Sequence, residues 1–272
     1  YNNTFDSNSL TVAPNGSEKI NGGAGGVVLS TEGEGITLVY IDATVGWRSI
    51  QDNDFSSVGS NFVAATGGTE TTSGDFKIHT FTGPGTLTVT GAGSPAGSTK
   101  VDYLVIAGGG GGGGKVISGN FENGGGGGAG GYRESDGGAS GCYTVSPLAA
   151  ACGSLPVSVQ AYPIVVGGGG TKGSGNTQSA SKGTSGSTSS FSTIASAGGG
   201  GAGGNGCTAP LNDGIAGGSG GGSSGHRTSP GAVNAGNTPP VSPPQGNPSG
   251  AVTSSSSNNS AAGAGGGGAT SA

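Results

Sequence analysis

The sequence predicts an all-β chain with essentially no α-helix, and three observations carry that reading. The chain holds 67 Gly and 13 Pro in 272 residues, no Met and few Leu, so strong helix formers are scarce. Its apolar residues fall in short runs bounded by Gly, Pro and Asn turns, the pattern of strands. The longest such signal, Val101 to Gly114 (VDYLVIAGGGGGGG), passes from an apolar strand straight into unbroken glycine. Glycine in a helix interior loses about 1 kcal/mol per residue against alanine, so that run excludes a helix. It fits either a flexible linker or extended chains of polyproline II geometry packed side by side. Polyproline II chains make no internal hydrogen bonds, so an ordered run must bond to neighbouring chains, and only glycine permits so close an approach. The runs are therefore read as a polyglycine II sandwich.

Residues 1–60 read as a small β module. Ser9 to Ala13 (SLTVA), Val27 to Ser30 (VVLS) and Ile36 to Asp42 (ITLVYID) are its strands, with Pro14-Asn15-Gly16 and Glu32-Gly33-Glu34-Gly35 as turns. Trp47, the only tryptophan, anchors its core or an interface between copies. So short a module buries little alone, which predicts oligomerisation, with Trp47, Val28, Leu38 and Tyr40 buried within it or between subunits.

Residues 61–100 read as a β-hairpin connector. Asp75 to Phe81 and Thr86 to Thr90 alternate about a Gly83-Pro84-Gly85 turn, with Phe76, Ile78, Thr80, Leu87 and Val89 on the packed side and His79 on the polar side. Residues 101–272 form the glycine-rich sandwich, its runs at 108–114, 124–131, 167–170, 198–206, 217–225 and 263–268. Two runs repeat the strand-into-glycine unit, after Leu155 to Val166 and Phe191 to Ala197, and the tail from Ala232 is rich in Pro, Ser and Asn.

Composition and motifs exclude several functions. A formal net charge of −5 argues against nucleic-acid binding. No run has the length of a transmembrane helix and no signal peptide is visible. The chain begins at Tyr1, which reads as a processed chain or as part of a longer polypeptide. Cys142 and Cys152 bracket a loop that a disulfide could close, yet Cys207 makes the count odd, and free thiols fit equally well. Gly109 to Lys115 matches GxxxxGK after a strand, but Val116 replaces the Mg²⁺-binding hydroxyl and Gly119-Asn120 breaks the helix a phosphate site needs. His79 and His226 stand in no catalytic or metal-ligand pattern, and Glu134 with Asp136 reads as solvated loop charge. The sequence thus predicts no enzyme, no catalytic or metal residues and no cofactor.

The stretch from Thr80 to Gly114, followed by GGGGGAGGYRES, LPVSVQAYPIVVGGGG and GNTPPVSPPQGN, resembles glycine-rich domains of marine bacteriophage tail fibres and related virion proteins. The opening Leu10 to Ile50 resembles a small β module of phage fibres, typically an intertwined trimer. In architecture alone the chain is similar to distal adhesins of T-even-like phages, whose polyglycine sandwich carries receptor-binding loops at one end. The resemblance implies a virion protein at the distal tail fibre, a homotrimer, contacting other tail proteins and a host glycan or outer-membrane component. A nonadhesive virion domain and a polyglycine ice-binding protein are the alternatives.

Strand alternation then places the binding surface. Loops at 115–123, 171–186 and 226–249 are expected together at one end, and 132–154 and 207–216 at the other. The binding loops collect Lys115, Phe121, Glu122, Asn123, Lys172, Lys182, His226 and Arg227. They form a mildly basic tip for phosphate- or carboxylate-bearing glycans.

Overall fold

A computed structural model of the chain describes residues 7–30, 35–49, 62–93, 98–115, 123–138, 153–175, 180–205, 210–225, 231–252 and 262–270. Among these residues the protein is all-β, with several small sheets, no closed barrel and no helix long and apolar enough to cross a membrane. It divides into two compact units, Tyr1–Ala64 with Gly91–Ser98, and Ala65–Thr90 with Thr99–Ala272.

The first unit is built from hairpins. Strands β1 (Leu10–Val12) and β2 (Val27–Leu29) pair antiparallel, as do β3 (Leu38–Asp42) and β4 (Gly46–Ser49) across a bulge between Tyr40 and Asp42. Asp42 accepts the Thr44 and Val45 amides and so shapes the β3–β4 turn. Ile20 and Leu29 are the buried apolar residues here. Trp47 and Leu38 are half-buried, Trp47 standing edge-on to Tyr40 at 5.4 Å and donating through Nε1 to Glu18. Val28 and Tyr40, expected to be covered, are 50% and 48% exposed, beside exposed Leu10, Val39 and Ile41.

The strands that follow are β5 (Val63–Thr66), β6 (Thr69–Ser73), β7 (Phe76–Thr80), β8 (Gly85–Ala92), β9 (Lys100–Val101), β10 (Leu104–Ile106), β11 (Tyr132–Glu134), β12 (Leu155–Pro156), β13 (Ala161–Val165), β14 (Ser189–Phe191) and β15 (Ile194–Ser196). The expected β7–β8 hairpin is not formed. β7 pairs with β6, and β8 joins the sheet ordered β15-β14-β13-β8-β5. Gly67 and Gly68, at φ +115° and +66°, turn the chain from β5 into β6, and a side chain on Gly67 would strike the Thr86 carbonyl. With β6 as its partner, β7 presents the opposite face from the one expected. Phe76 and Ile78 are exposed, whereas His79 is 13% exposed with Nδ1 at 2.8 Å from the Gly67 carbonyl oxygen. Leu87 and Val89 are buried as expected, with Tyr103, Val105, Val157, Tyr162 and Phe191. Tyr162 and Phe191 meet edge to face at 5.9 Å.

Beyond this core the chain passes into parallel and antiparallel runs bonded chiefly through backbone. From run 107–115, Gly110 and Gly113 donate to Gly128 and Gly125 of run 123–131 at 2.8 and 3.0 Å. Gly111 and Gly114 donate to Thr184 and Ser181, while Gly109 and Gly112 accept from Gly170 and Gly173. Successive donors to one neighbour are three residues apart, the repeat of a polyproline II helix. Three residues per turn aim the backbone groups in three directions, so chains bond sideways into a lattice rather than a flat sheet. Burial follows the same repeat: in 262–267, Ala264 and Gly267 are buried and their neighbours are not.

Run 217–225 is the centre of this lattice. It bonds to 198–205, 211–216, 123–131, 231–238, 245–252 and 262–268, and every one of its residues is buried. Some runs that complete the lattice contain little glycine, namely 180–187, 211–216, 231–237 and 245–252. The buried hydroxyls of Ser219, Ser223 and Ser224 donate to the carbonyls of Gly268, Ala232 and Gly204, so these three side chains enter without leaving a donor idle.

Candidate functional site

Each run crosses the lattice once and reverses at one of two ends. At the end away from the β core, Asn205 donates to Gly114 and Gly204 to Leu211. Ser224 donates there to Asn212, Asn123 bridges Gly225, and Gly175 bridges Ala180. A side chain added to Gly225 would meet Ala262, and one on Gly231 would meet Asn212 and Ser223. The residues flanking 116–122, 176–179, 206–209, 226–230 and 253–261 thus gather at this distal end. At the other, proximal end Gly131 donates to Ala197, Asn237 to Gly218, Tyr132 to Gln245 and Gly217 to Ala235.

That pattern is a glycine lattice occupying the greater part of the chain, and residues 81–272 match the glycine-rich domain family. The chain belongs to this family. No curated protein and no solved structure matches it.

Within the glycine-rich domain, the distal end holds Lys115, Lys172, Lys182 and Asn123. The lysines lie on mutually bonded runs: Gly114 donates to Ser181, Gly173 to Gly112 and Ser181 to Ser174. They therefore share one corner of the lattice, with Lys115 and Lys172 exposed and Lys182 half-buried. No salt bridge joins them to a carboxylate among the described residues. Asn123 is exposed beside Gly225. Phe121, Glu122, His226 and Arg227, and the cysteines at 142, 152 and 207, lie outside the described residues.

Two expected placements are corrected. The loop at 207–216 was expected at the proximal end. The structure puts Leu211 and Asn212 beside Gly204 and Ser224 at the distal end, and Asp213 accepts the Ala232 amide there. The reason is the β14–β15 hairpin, which reverses the chain at Ser192 (φ +53°) and makes 198–205 an outward run. The distal end consequently carries an acid as well as its lysines. The Pro-rich segment 226–249 also does not stay at that end. Run 231–237 returns, and 238–244 turns at the proximal end, held by side chains. Asn237 Oδ1 accepts the Val241 and Gln245 amides, and Gln245 accepts the Ala197 amide while donating to the Pro239 carbonyl. Two cis prolines, Pro239 and Pro243, lie in this turn.

The glycine-poor runs lack the dense glycine that marks the others in the sequence. Their signal is subtler. Gly183 and Gly186 are three apart, and a side chain at either would strike the carbonyl of Gly111 or Gly108. In run 167–175, Gly167, Gly170 and Gly173 repeat that spacing against Ser187, Thr184 and Ser181. Glycine at every third position marks the face turned to a neighbour. The other two positions accept Lys, Ser or Thr.

For chemistry, the described residues hold no group of three or more His, Cys, Asp or Glu placed for a metal ion. What the domain offers is a backbone-bonded frame with the flanks of five connecting segments collected at its distal end.

Proposed function

We propose that the protein is a distal structural and receptor-binding part of a bacteriophage tail fibre, attaching the virion to a host-surface glycan or outer-membrane component. The observation that carries this reading is the convergence of the runs' reversals at one end of a backbone-bonded frame. Such a frame fixes loop spacing while loop sequence varies freely, which suits recognition of changing surfaces. The lysine corner of Lys115, Lys172 and Lys182 adds attraction for phosphate or carboxylate groups. Phe121, Glu122, His226 and Arg227 would extend that surface, and no catalytic step or cofactor is invoked.

The same reading makes the protein a homotrimer held through residues 1–60 and joined to other tail proteins. Two-stranded sheets are marginal alone in water, and Leu10, Val28, Val39, Tyr40 and Ile41 are the apolar surface a second copy would cover. The test is adsorption: labelled protein is mixed with a panel of marine bacterial isolates, and saturable binding that blocks phage adsorption is the expected result. Absence of binding across isolates that the parent phage infects would leave a nonadhesive virion domain.

One face supports a second reading, ice binding. Thr171 pairs with Thr184 and Ser174 with Ser181, hydroxyl to hydroxyl, along an exposed hairpin. The pairs repeat every three residues, about 9 Å at the polyproline II rise. A thermal-hysteresis measurement separates the two readings.

A further inference from the structure

We infer that the proximal end carries a separate binding cleft for a carboxylate-bearing saccharide, centred on Arg133. The cleft has a volume of about 200 Å³ and is lined by Arg133, Thr188, Thr193, Pro239, Val241 and Gln245, together with Ala195 and Ala197. Drug-sized pockets run to roughly 300–1,000 Å³, so its occupant is a single ring or the end of a chain.

Three physical features select the ligand. Arg133 pairs with Val105 in the β10–β11 register, on the face turned toward the interior, and is half-buried. Among the described residues its guanidinium has no hydrogen-bond or ion-pair partner, although it carries donors in a planar fork that matches a carboxylate. Thr188 and Thr193 bring hydroxyls to the lining, and Pro239 and Val241 an apolar surface. A sugar acid presents those groups together: a carboxylate, hydroxyls at the ring edge and a C–H face.

The walls are also held in place. The Gln245 side chain is held at both ends of its amide, by the Ala197 N–H and the Pro239 carbonyl, and Asn237 fastens Val241. Ser196 donates to the Val105 carbonyl at 2.7 Å, which fixes β15 over β10. A preformed cleft loses little entropy on binding. The cleft stands at the end opposite the distal reversals, so it neither requires nor supports host attachment through them.

The test uses the full chain, isotope-labelled, with glucuronate and galacturonate as probes against glucose and acetate. Expected are amide shifts confined to Arg133, Thr193, Ala197 and Val241 with a uronate, and at least tenfold weaker binding of glucose and of acetate. Arg133→Gln should weaken uronate binding at least tenfold, and Arg48→Gln should leave it unchanged. Should Arg133→Gln fail to fold, Thr193→Val is read instead and should weaken the uronate several-fold. No shift at these amides in the wild type, equal shifts with glucose, or acetate binding as tightly as the uronate would each overturn the inference.

Discussion

Alanine at Gly111 and at Gly112 should have opposite effects, although the two positions are adjacent in one glycine run. A methyl group on Gly111 would fall on the Thr171 carbonyl, with Lys172 N at 2.9 Å, and backbone cannot rotate away as a side chain can. A methyl group on Gly112 meets nothing nearer than the Gly125 carbonyl at 3.8 Å. To admit the first, run 167–175 must move from run 107–115, loosening Gly170 N–H to Gly109 and Gly173 N–H to Gly112, both 2.8 Å. Two such bonds contribute about 2 kcal/mol net, and overpacking adds roughly 1–3 kcal/mol. Reduced freedom of the unfolded chain returns about 0.4–1 kcal/mol in either variant. Gly111→Ala should therefore destabilise by about 3 kcal/mol, lowering Tm by roughly 6–12 °C for a domain of this size. Gly112→Ala should raise Tm by about 1–4 °C. Scanning calorimetry or thermal circular dichroism reads both. Equal shifts in the two variants would mean that the runs are solvated chain, and the lattice would be wrong.

Three further outcomes are expected. Tyr162 should ionise below the ordinary tyrosine range, because the Ser158 hydroxyl, the Ser158 amide and Gln160 Nε2 surround its oxygen, outweighing burial. A folded-state value below the unfolded one adds stability above about pH 10 that is lost as pH falls through the folded value; absorbance titration should show one early tyrosine, absent in Tyr162→Phe. Gln245→Ala should destabilise by about 1–3 kcal/mol, since it removes both hydrogen bonds that the buried Gln245 side chain makes, to the Ala197 amide and the Pro239 carbonyl; a urea midpoint equal to wild type would refute the staple. Light scattering should return three times the 25.1 kDa chain mass, and a monomer mass would remove the trimer proposal.

How much of this was legible in the residues depends on which rule each segment obeys. The glycine runs were readable because bare backbone leaves few alternatives: helix is excluded and neighbours must supply the hydrogen bonds. Lys182 and Thr184 hid their run because a polyproline II strand turns only one residue in three toward a given neighbour, and the other two advertise nothing. The β7 partner is hidden for a different reason. Alternation shows that Phe76, Ile78 and Thr80 share a side, but the side that is buried depends on the strand paired with it, and β6 lies nearer in the chain than β8. In the candidate site, residue identity and run spacing brought Lys115, Lys172 and Lys182 correctly to one corner. Arg133 carried no pattern at all, because its cleft is assembled from β11, β14, β15 and the proline turn, which are far apart in sequence.

The position of run 217–225 also constrains how the protein can form. This central chain takes partners from both earlier and later sequence: Gly126 and Ala129 on one side, Ala264 and Gly267 on the other. A chain emerging from the ribosome can lay down 107–131 and its neighbours, but it cannot surround 217–225 until 262–268 has arrived. Gly126, Ala129, Gly220 and Ser223 all wait for that last run. Contacts between distant segments slow folding because loop closure precedes their reward. The glycine-rich domain should therefore fold late and as one unit, and truncation after residue 252 should expose the middle of the lattice rather than trim its edge.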